Sequence, residues 1–201
     1  GSGKSRLCRG VVSEQYYERS IDHIPVGEIV RAIGRGALDS AFTYEVQQHL
    51  NSQTETTPLD REVMYHIISE ALTRRDNSDL LLIDNYPRYV NQVEDMYELA
   101  MLDDRAIRGL ILTDVSSAIA VERMQRRDAR NYTATMTEFE ALRRIQHYRD
   151  TYPPTANLLR ERHLPIEIIN TYTLKADTTE HAVQAINYMT SPGEDQSKGI
   201  L

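Results

Sequence analysis

The chain has 201 residues, is 40% hydrophobic and carries a formal charge of −7 with a pI of about 5.4, so it is long enough for one domain with a sizeable core. The acidic balance argues against a general nucleic-acid or anionic-membrane binder, which presents a basic field to phosphates, and no apolar run approaches the length of a membrane span. Cys8 is the only cysteine, which excludes an internal disulfide or a cysteine-based metal cluster and makes a reducing compartment the natural reading.

Residues 1–5, Gly1-Ser2-Gly3-Lys4-Ser5, read as the second half of a phosphate-binding loop, G-x-x-x-x-G-K-[ST]. In that loop glycines let backbone N–H groups approach phosphate oxygens, and lysine supplies a mobile positive charge. The loop's first glycine and the hydrophobic strand delivering the chain into it are expected ahead of residue 1. Taken alone, the five residues equally suit a Gly-Ser cloning remnant. From Arg6 to Glu18 a helix is expected, with Leu7, Cys8, Val11 and Val12 on one side and its N-terminus adding partial positive charge to the loop. Ser20 to Ile24 fits a brief strand, and Gly27 to Arg31 starts another helical piece. Gly34 and Gly36 interrupt it, and a helical pattern resumes over 37–50.

The run 51–58 is polar and turn-forming, and Asp60 to Arg75 is the clearest helix, with Asp60 suited to its N-terminal end. Leu80 to Asp84 is a short apolar run ending in an acid, as a strand covered on both faces requires. Residues 109–115 and 164–169 repeat that arrangement, with helical patterns over 89–103, 116–129, 136–150 and 153–163 between and around them. Alternation of this kind implies an α/β fold, a parallel sheet flanked by helices, with ligands at the carboxyl ends of strands, where Asp84 and Asp114 stand. A last amphipathic helix carries Ala182, Val183, Ile186 and Met189, and the tail 191–201 is expected to be disordered.

Four groups of residues carry the chemistry. After the phosphate loop comes Asp84-Asn85-Tyr86-Pro87-Arg88 with Gln92 beyond it: a strand-end acid can hold waters around Mg²⁺, and an arginine just past it can clamp a phosphate. Without the loop, the same stretch reads as a solvated turn. The third group is Arg123, Arg126, Arg127 and Arg130, and the fourth is Arg143 and Arg144; surface arginines on amphipathic helices are the ordinary alternative, and the one preferred for Arg126. Lysine is confined to Lys4, Lys175 and Lys198, so phosphate recognition falls mainly to arginine, whose planar fork suits it. The six histidines have no spacing that compels a metal site, and structural or surface roles suit them.

The ordered set GSGKS with Cys8, HIPVGEIVR at 23–31, LIDNYPRYVNQ at 82–92, LTDVSSAIAVERMQRR at 112–127 and RRIQHYRDTYPP at 143–154 resembles adenylate kinase over residues 1–172, closest to short, lidless nucleoside monophosphate kinases. The resemblance implies a five-stranded parallel P-loop sheet over 1–190, an AMP-binding insert at about 26–60 and a short lid at about 127–137. It implies reversible phosphoryl transfer from MgATP to AMP. Carried over by position, it gives Gly1, Ser2, Gly3, Lys4 and Ser5 to the donor phosphates, Arg123 to the ATP base, and Arg31, Arg88 and Gln92 to AMP. Lys4, Arg88, Arg127 and Arg144 become catalytic, and Asp84, through water, and Ser5 serve the metal. The reducing compartment that the single thiol suits makes intracellular placement the expectation, cytoplasmic first, with a mitochondrial or other organellar site left open because the loop is expected to begin ahead of residue 1.

Departures matter as much. Val26 and Glu28 replace the family's hydroxyl residue and aspartate, and the lid's usual arginine and acid pair fall on Thr133, Thr135 and Met136, with Arg130 a candidate substitute. These changes keep open a second reading, a degenerate nucleotide-binding or structural subunit of a larger assembly with protein partners.

Overall fold

The computed structural model describes residues 3–13, 20–52, 58–75, 78–130, 136–172, 175–191 and 199–201. The elements run α1 (Lys4–Ser13), β1 (Ile21–Pro25), α2 (Val26–Gly34), α3 (Thr43–Asn51), α4 (Arg61–Thr73) and β2 (Leu80–Asp84). They continue through α5 (Asn91–Leu102), β3 (Ala106–Ile107), β4 (Leu110–Asp114), α6 (Ser117–Arg130), α7 (Glu138–Glu161), β5 (Ile166–Asn170), α8 (Lys175–Thr190) and β6 (Gly199–Ile200).

Strand β2 organises the molecule, because its side chains alternate between two apolar layers. Leu80 and Leu82 pack with Leu7 and Val11 of α1 and with Ala182, Val183 and Ile186 of α8. Leu81 belongs to the opposite layer, with Ile24 of β1, Ile68 of α4, Val93, Met96 and Leu99 of α5 and Leu159 of α7. Burial on both faces is why the strand is apolar at every position up to Asp84, and each buried leucine contributes about 1.5–3 kcal/mol. Parallel β1 pairs with β2 along its whole length, from Ile21 opposite Leu80 to Pro25 opposite Asp84. A third cluster, Ile33, Val46, Leu59, Val63 and Ile67, binds α2 and α3 to α4. Asp60 caps α4 as expected, its side chain accepting from the N–H groups of Glu62 and Val63.

Two expectations fail, each for a physical reason. The first concerns the tail. Residues 192–198 lie outside the described residues, but Gly199–Ile200 is not disordered: it forms β6, parallel to and between β2 and β3. Ile200 is buried, the Arg108 N–H donates to its carbonyl at 2.8 Å, and Leu201 exchanges bonds with Leu81 and Ile83 at 2.8 and 2.9 Å. A two-residue strand held from both sides gains stability from partners far away in sequence, so no local pattern betrays it. Among the described residues the sheet falls into two parts, β1-β2-β6-β3 and β4-β5.

The second concerns residues 136–163, expected as two helices separated near Pro153. They form the single helix α7, which runs through Pro153 and Pro154. Both prolines are exposed, so the carbonyls they leave without donors face water, while Ala156 and Leu159 just beyond them are buried and anchor the continuation. A capping box, Thr137 with Glu140, starts the helix.

Candidate active site

Gly3 opens the site. Its φ of +88° lies in the left-handed region where side chains are strained, and from it the chain turns directly into α1, with Leu7 N–H donating to the Gly3 carbonyl at 3.0 Å. Gly1 and Ser2 lie outside the described residues. Lys4, the first residue of α1, stands at the positive end of the helix dipole and lines a cavity that also takes in Asp84, Arg88, Tyr148 and Tyr152. Burial pulls the Lys4 ammonium below its ordinary pKa; Asp84 opposes that shift and Arg88 reinforces it. Its Nζ lies 5.8 Å from the centre of the Tyr148 ring.

Asp84 ends β2 inside this pocket. Ser5 Oγ donates to Asp84 Oδ2, whereas Asp84 Oδ1 is buried without a hydrogen-bond partner. His23 Nε2, also buried without a partner, lies 3.9 Å from Asp84 Oδ2, and burial lowers the His23 pKa, so the contact is a polar one between a neutral ring and a carboxylate. Among the described residues no cluster of three or more His, Cys, Asp or Glu side chains stands ready to hold a metal. Magnesium does not need one: it keeps several waters and takes one or two protein oxygens plus substrate phosphates. A serine hydroxyl beside a carboxylate with an unsatisfied buried oxygen fits that requirement. Asp114, by contrast, ends β4 exposed and lies outside the cavity lining.

Arg88 is delivered by a sharp exit from β2. Asn85 adopts φ +73°, a left-handed conformation that asparagine tolerates better than most residues, and a cis Tyr86–Pro87 bond follows. The Arg88 N–H donates to Gln92 Oε1 at 2.8 Å, and its carbonyl accepts from Thr155 Oγ1 at 3.3 Å. Buried Gln92 therefore secures the turn with its amide oxygen, accepting also from Tyr89 N–H at 3.3 Å. Arg61 grips Asp95 with bonds of 2.6–3.1 Å, locking α4 to the helix that carries Gln92.

The remaining arginines are more dispersed. Arg123 donates to the Thr171 carbonyl at 2.7 Å and to Thr171 Oγ1 at 3.2 Å, and a Cβ on Gly3 would lie 3.6 Å from its guanidinium. It thus joins the end of β5 to the phosphate loop. Arg144 is half-buried on α7, and desolvation lowers its pKa. Arg31 is exposed on α2, its guanidinium close over Gly27 and outside the cavity lining. Arg126 is exposed and paired with Glu122 at 2.6 Å, the surface role expected of it. Backbone at Arg127 and Arg130 is helical, but their side chains, like Thr133 and Thr135, lie outside the described residues. Met136 is buried with Val121, Met124 and Ala141, joining α6 to α7. Sequence reasoning missed Tyr89, which directly follows Arg88 in the chain, and His147, Tyr148 and Thr155, which tertiary structure brings to Tyr89, Lys4 and Arg88; only the register of α7 could have signalled these three.

A family model described as an AAA domain matches residues 1–140. The chain is 30% identical over 191 residues to the adenylate kinase of Corynebacterium diphtheriae, covering 94% of this chain and 92% of that protein. It is 28% identical over 183 residues to the adenylate kinase of Corynebacterium glutamicum, covering 88% and 93% respectively. With the adenylate kinase of Mycobacterium leprae it shares 24% over 187 residues, or 92% and 94% of the two chains.

Proposed function

The chain belongs to the adenylate kinase family, a phosphotransferase group built on the P-loop, and from that premise we propose that it transfers the γ-phosphoryl group of MgATP reversibly to AMP, giving two ADP. The observation that carries this reading is the meeting of Lys4, Asp84 and Arg88 in one cavity at the carboxyl end of β2. Phosphoryl transfer asks little covalent work of a protein and is catalysed mainly by positioning and by stabilising charge. The attacking group is an acceptor phosphate oxygen that is already anionic near neutral pH, so no general base is required.

Each side chain then has a role. Lys4, half-buried beside Asp84, meets the donor phosphates together with the loop N–H groups. Arg88 and Arg31 take the acceptor phosphate. Gln92 contributes its amide to the acceptor base while its oxygen secures the Arg88 turn. Arg123, held at Thr171 beside Gly3, flanks the donor nucleotide, Arg144 of α7 serves the transferring group, and the resemblance gives Arg127 the same role. When bound, Mg²⁺ held by Ser5 and, through water, by Asp84 neutralises phosphate charge. The stacked rings of Tyr148 and Tyr152, 5.0 Å apart and lining the cavity, keep bulk water from Lys4. An intracellular location suits the single thiol, Cys8.

A coupled assay of ADP formation from ATP with AMP, CMP or UMP tests the reading. AMP should be the preferred acceptor; preference for CMP or UMP would refute the acceptor assignment, and no turnover by folded protein would sink the transfer reaction. Burial of Met136, where the family's lid carries an acid, favours the second reading of a nucleotide-binding module. Nucleotide binding without turnover would support it.

A further inference from the structure

We propose that Tyr89 and His147 form a brace that aims Arg88, making both of them positioning residues for the acceptor phosphate; the role of Arg88 itself rests on the function proposed above. The backbone of Arg88 is fixed from two helices, by Gln92 of α5 and Thr155 of α7. Its side chain is not fixed in that way. Arg88 Nε is buried without a hydrogen-bond partner, and the neighbouring cation Lys4 repels the guanidinium. The attractive contact is the Tyr89 ring, whose centre lies 5.8 Å from Arg88 Cζ, within the range of a cation over an aromatic face.

The ring is held in turn. Tyr89 Oη lies 3.2 Å from His147 Nε2, with ring centres 6.3 Å apart, and His147 is seated on α7, where its carbonyl accepts from Thr151 Oγ1 at 2.7 Å. The groups acting on His147 are Arg88 and Asp150: burial and Arg88 lower its pKa and Asp150 raises it, which favours the neutral imidazole, whose Nε2 shares a hydrogen bond with Tyr89 Oη. Support therefore passes from α7 through His147 and Tyr89 to Arg88. Repulsion from Lys4 would otherwise swing the guanidinium off the phosphate position, so the brace serves the acceptor side and leaves the donor side alone.

The test uses His147→Phe, His147→Gln, Tyr89→Phe and Tyr89→Leu in the full chain, with kcat and KM measured for AMP and ATP separately. Loss of the hydroxyl or of its hydrogen-bond partner should raise the AMP KM about three- to tenfold and leave the ATP KM unchanged. His147→Gln, whose side-chain amide can replace Nε2 as donor or acceptor, should remain within about twofold of the parent, and Tyr89→Leu, which loses the ring, should be the most affected. The double variant Tyr89→Phe with His147→Phe should be no worse than either single one, because both cut the same link. An unchanged AMP KM in both single variants, additive losses, or an equal rise for ATP overturns the brace. Two readouts stand apart from turnover: by calorimetry, AMP affinity should fall in His147→Phe and in Tyr89→Phe. An enzyme without turnover that shows both losses refutes the proposed reaction and keeps the brace. Absence of either loss overturns the brace itself.

Discussion

Replacing Arg88 with methionine separates function from folding more cleanly than any other substitution in the cavity. Methionine keeps most of the aliphatic stem and removes the fork. The turn should survive, because Gln92 and Thr155 hold the residue 88 backbone without help from its side chain. Stability should change by less than about 1 kcal/mol, since the lost group is a cation whose Nε makes no hydrogen bond and which faces the like charge of Lys4. Transition-state stabilisation is another matter: one well-placed donor on developing charge is worth about 3–4 kcal/mol, so kcat/KM for AMP should fall about 10²- to 10³-fold. Because Arg88 lowers the pKa values of Lys4, Tyr148 and His147, the variant should also show a higher His147 pKa by NMR, which confirms that the charge has left the cavity. Steady-state kinetics with AMP varied at saturating ATP, beside a melting curve, decides the matter. Activity within threefold of the parent in a protein with an unchanged melt would refute the role given to Arg88.

Other expectations follow from burial. Ile200→Ala should cost about 2–5 kcal/mol and lower Tm by about 5–15 °C by calorimetry, because the side chain sits in the core beside Ile24 and Leu81; a shift under 2 °C would show that β6 contributes little. Burial pushes the Cys8 thiol up to about 12, so at pH 8 only about one part in ten thousand is thiolate, and alkylation by iodoacetamide should be slow until urea unfolds the chain. Reaction at the rate of a free cysteine would contradict that environment. His147, with its folded pKa below the ordinary value, takes up a proton more readily in the unfolded chain, so its contribution is complete above about pH 6.5 and is lost as pH falls. Tm should therefore drop more steeply from pH 7.5 to 5.5 in the parent than in His147→Gln; equal slopes would count against a depressed pKa.

The parts of the fold legible in sequence were those fixed by local chemistry. An unbroken apolar run ending in Asp84 marked β2 to the residue, since a strand buried on both faces leaves no room for polar alternation, and Asp60 marked the start of α4 because a cap acts within its own turn. Long-range partnerships left no trace. Arg61 and Asp95 are 34 residues apart and Tyr89 and His147 are 58 apart, and neither pairing has a periodicity to reveal it. Gln92 shows what a motif leaves out: the resemblance suggested base recognition, while the structure commits its amide oxygen to the backbone of Arg88 and Tyr89. Pro153 and Pro154 misled for the opposite reason, a strong local rule overridden by burial of Ala156 and Leu159 just beyond them.

Strand β6 has a consequence for the order in which the protein matures. Its residues bond to Leu80 and Leu81, and the side chains of those two leucines form the floor beneath α1 on one face and α5 on the other. Closing a loop of more than a hundred residues carries an entropic cost that is repaid only once its two ends have docked, so helices and the β1–β2 pair can assemble well before this contact. The edge of β2 away from β1, at Leu80, Leu81 and Ile83, is completed last, and Ile200 and Leu201 reach the cavity wall with it. A refolding chain should accordingly regain its helical signal early and its affinity for nucleotide late, the cavity becoming competent only when the most distant part of the sequence has come home.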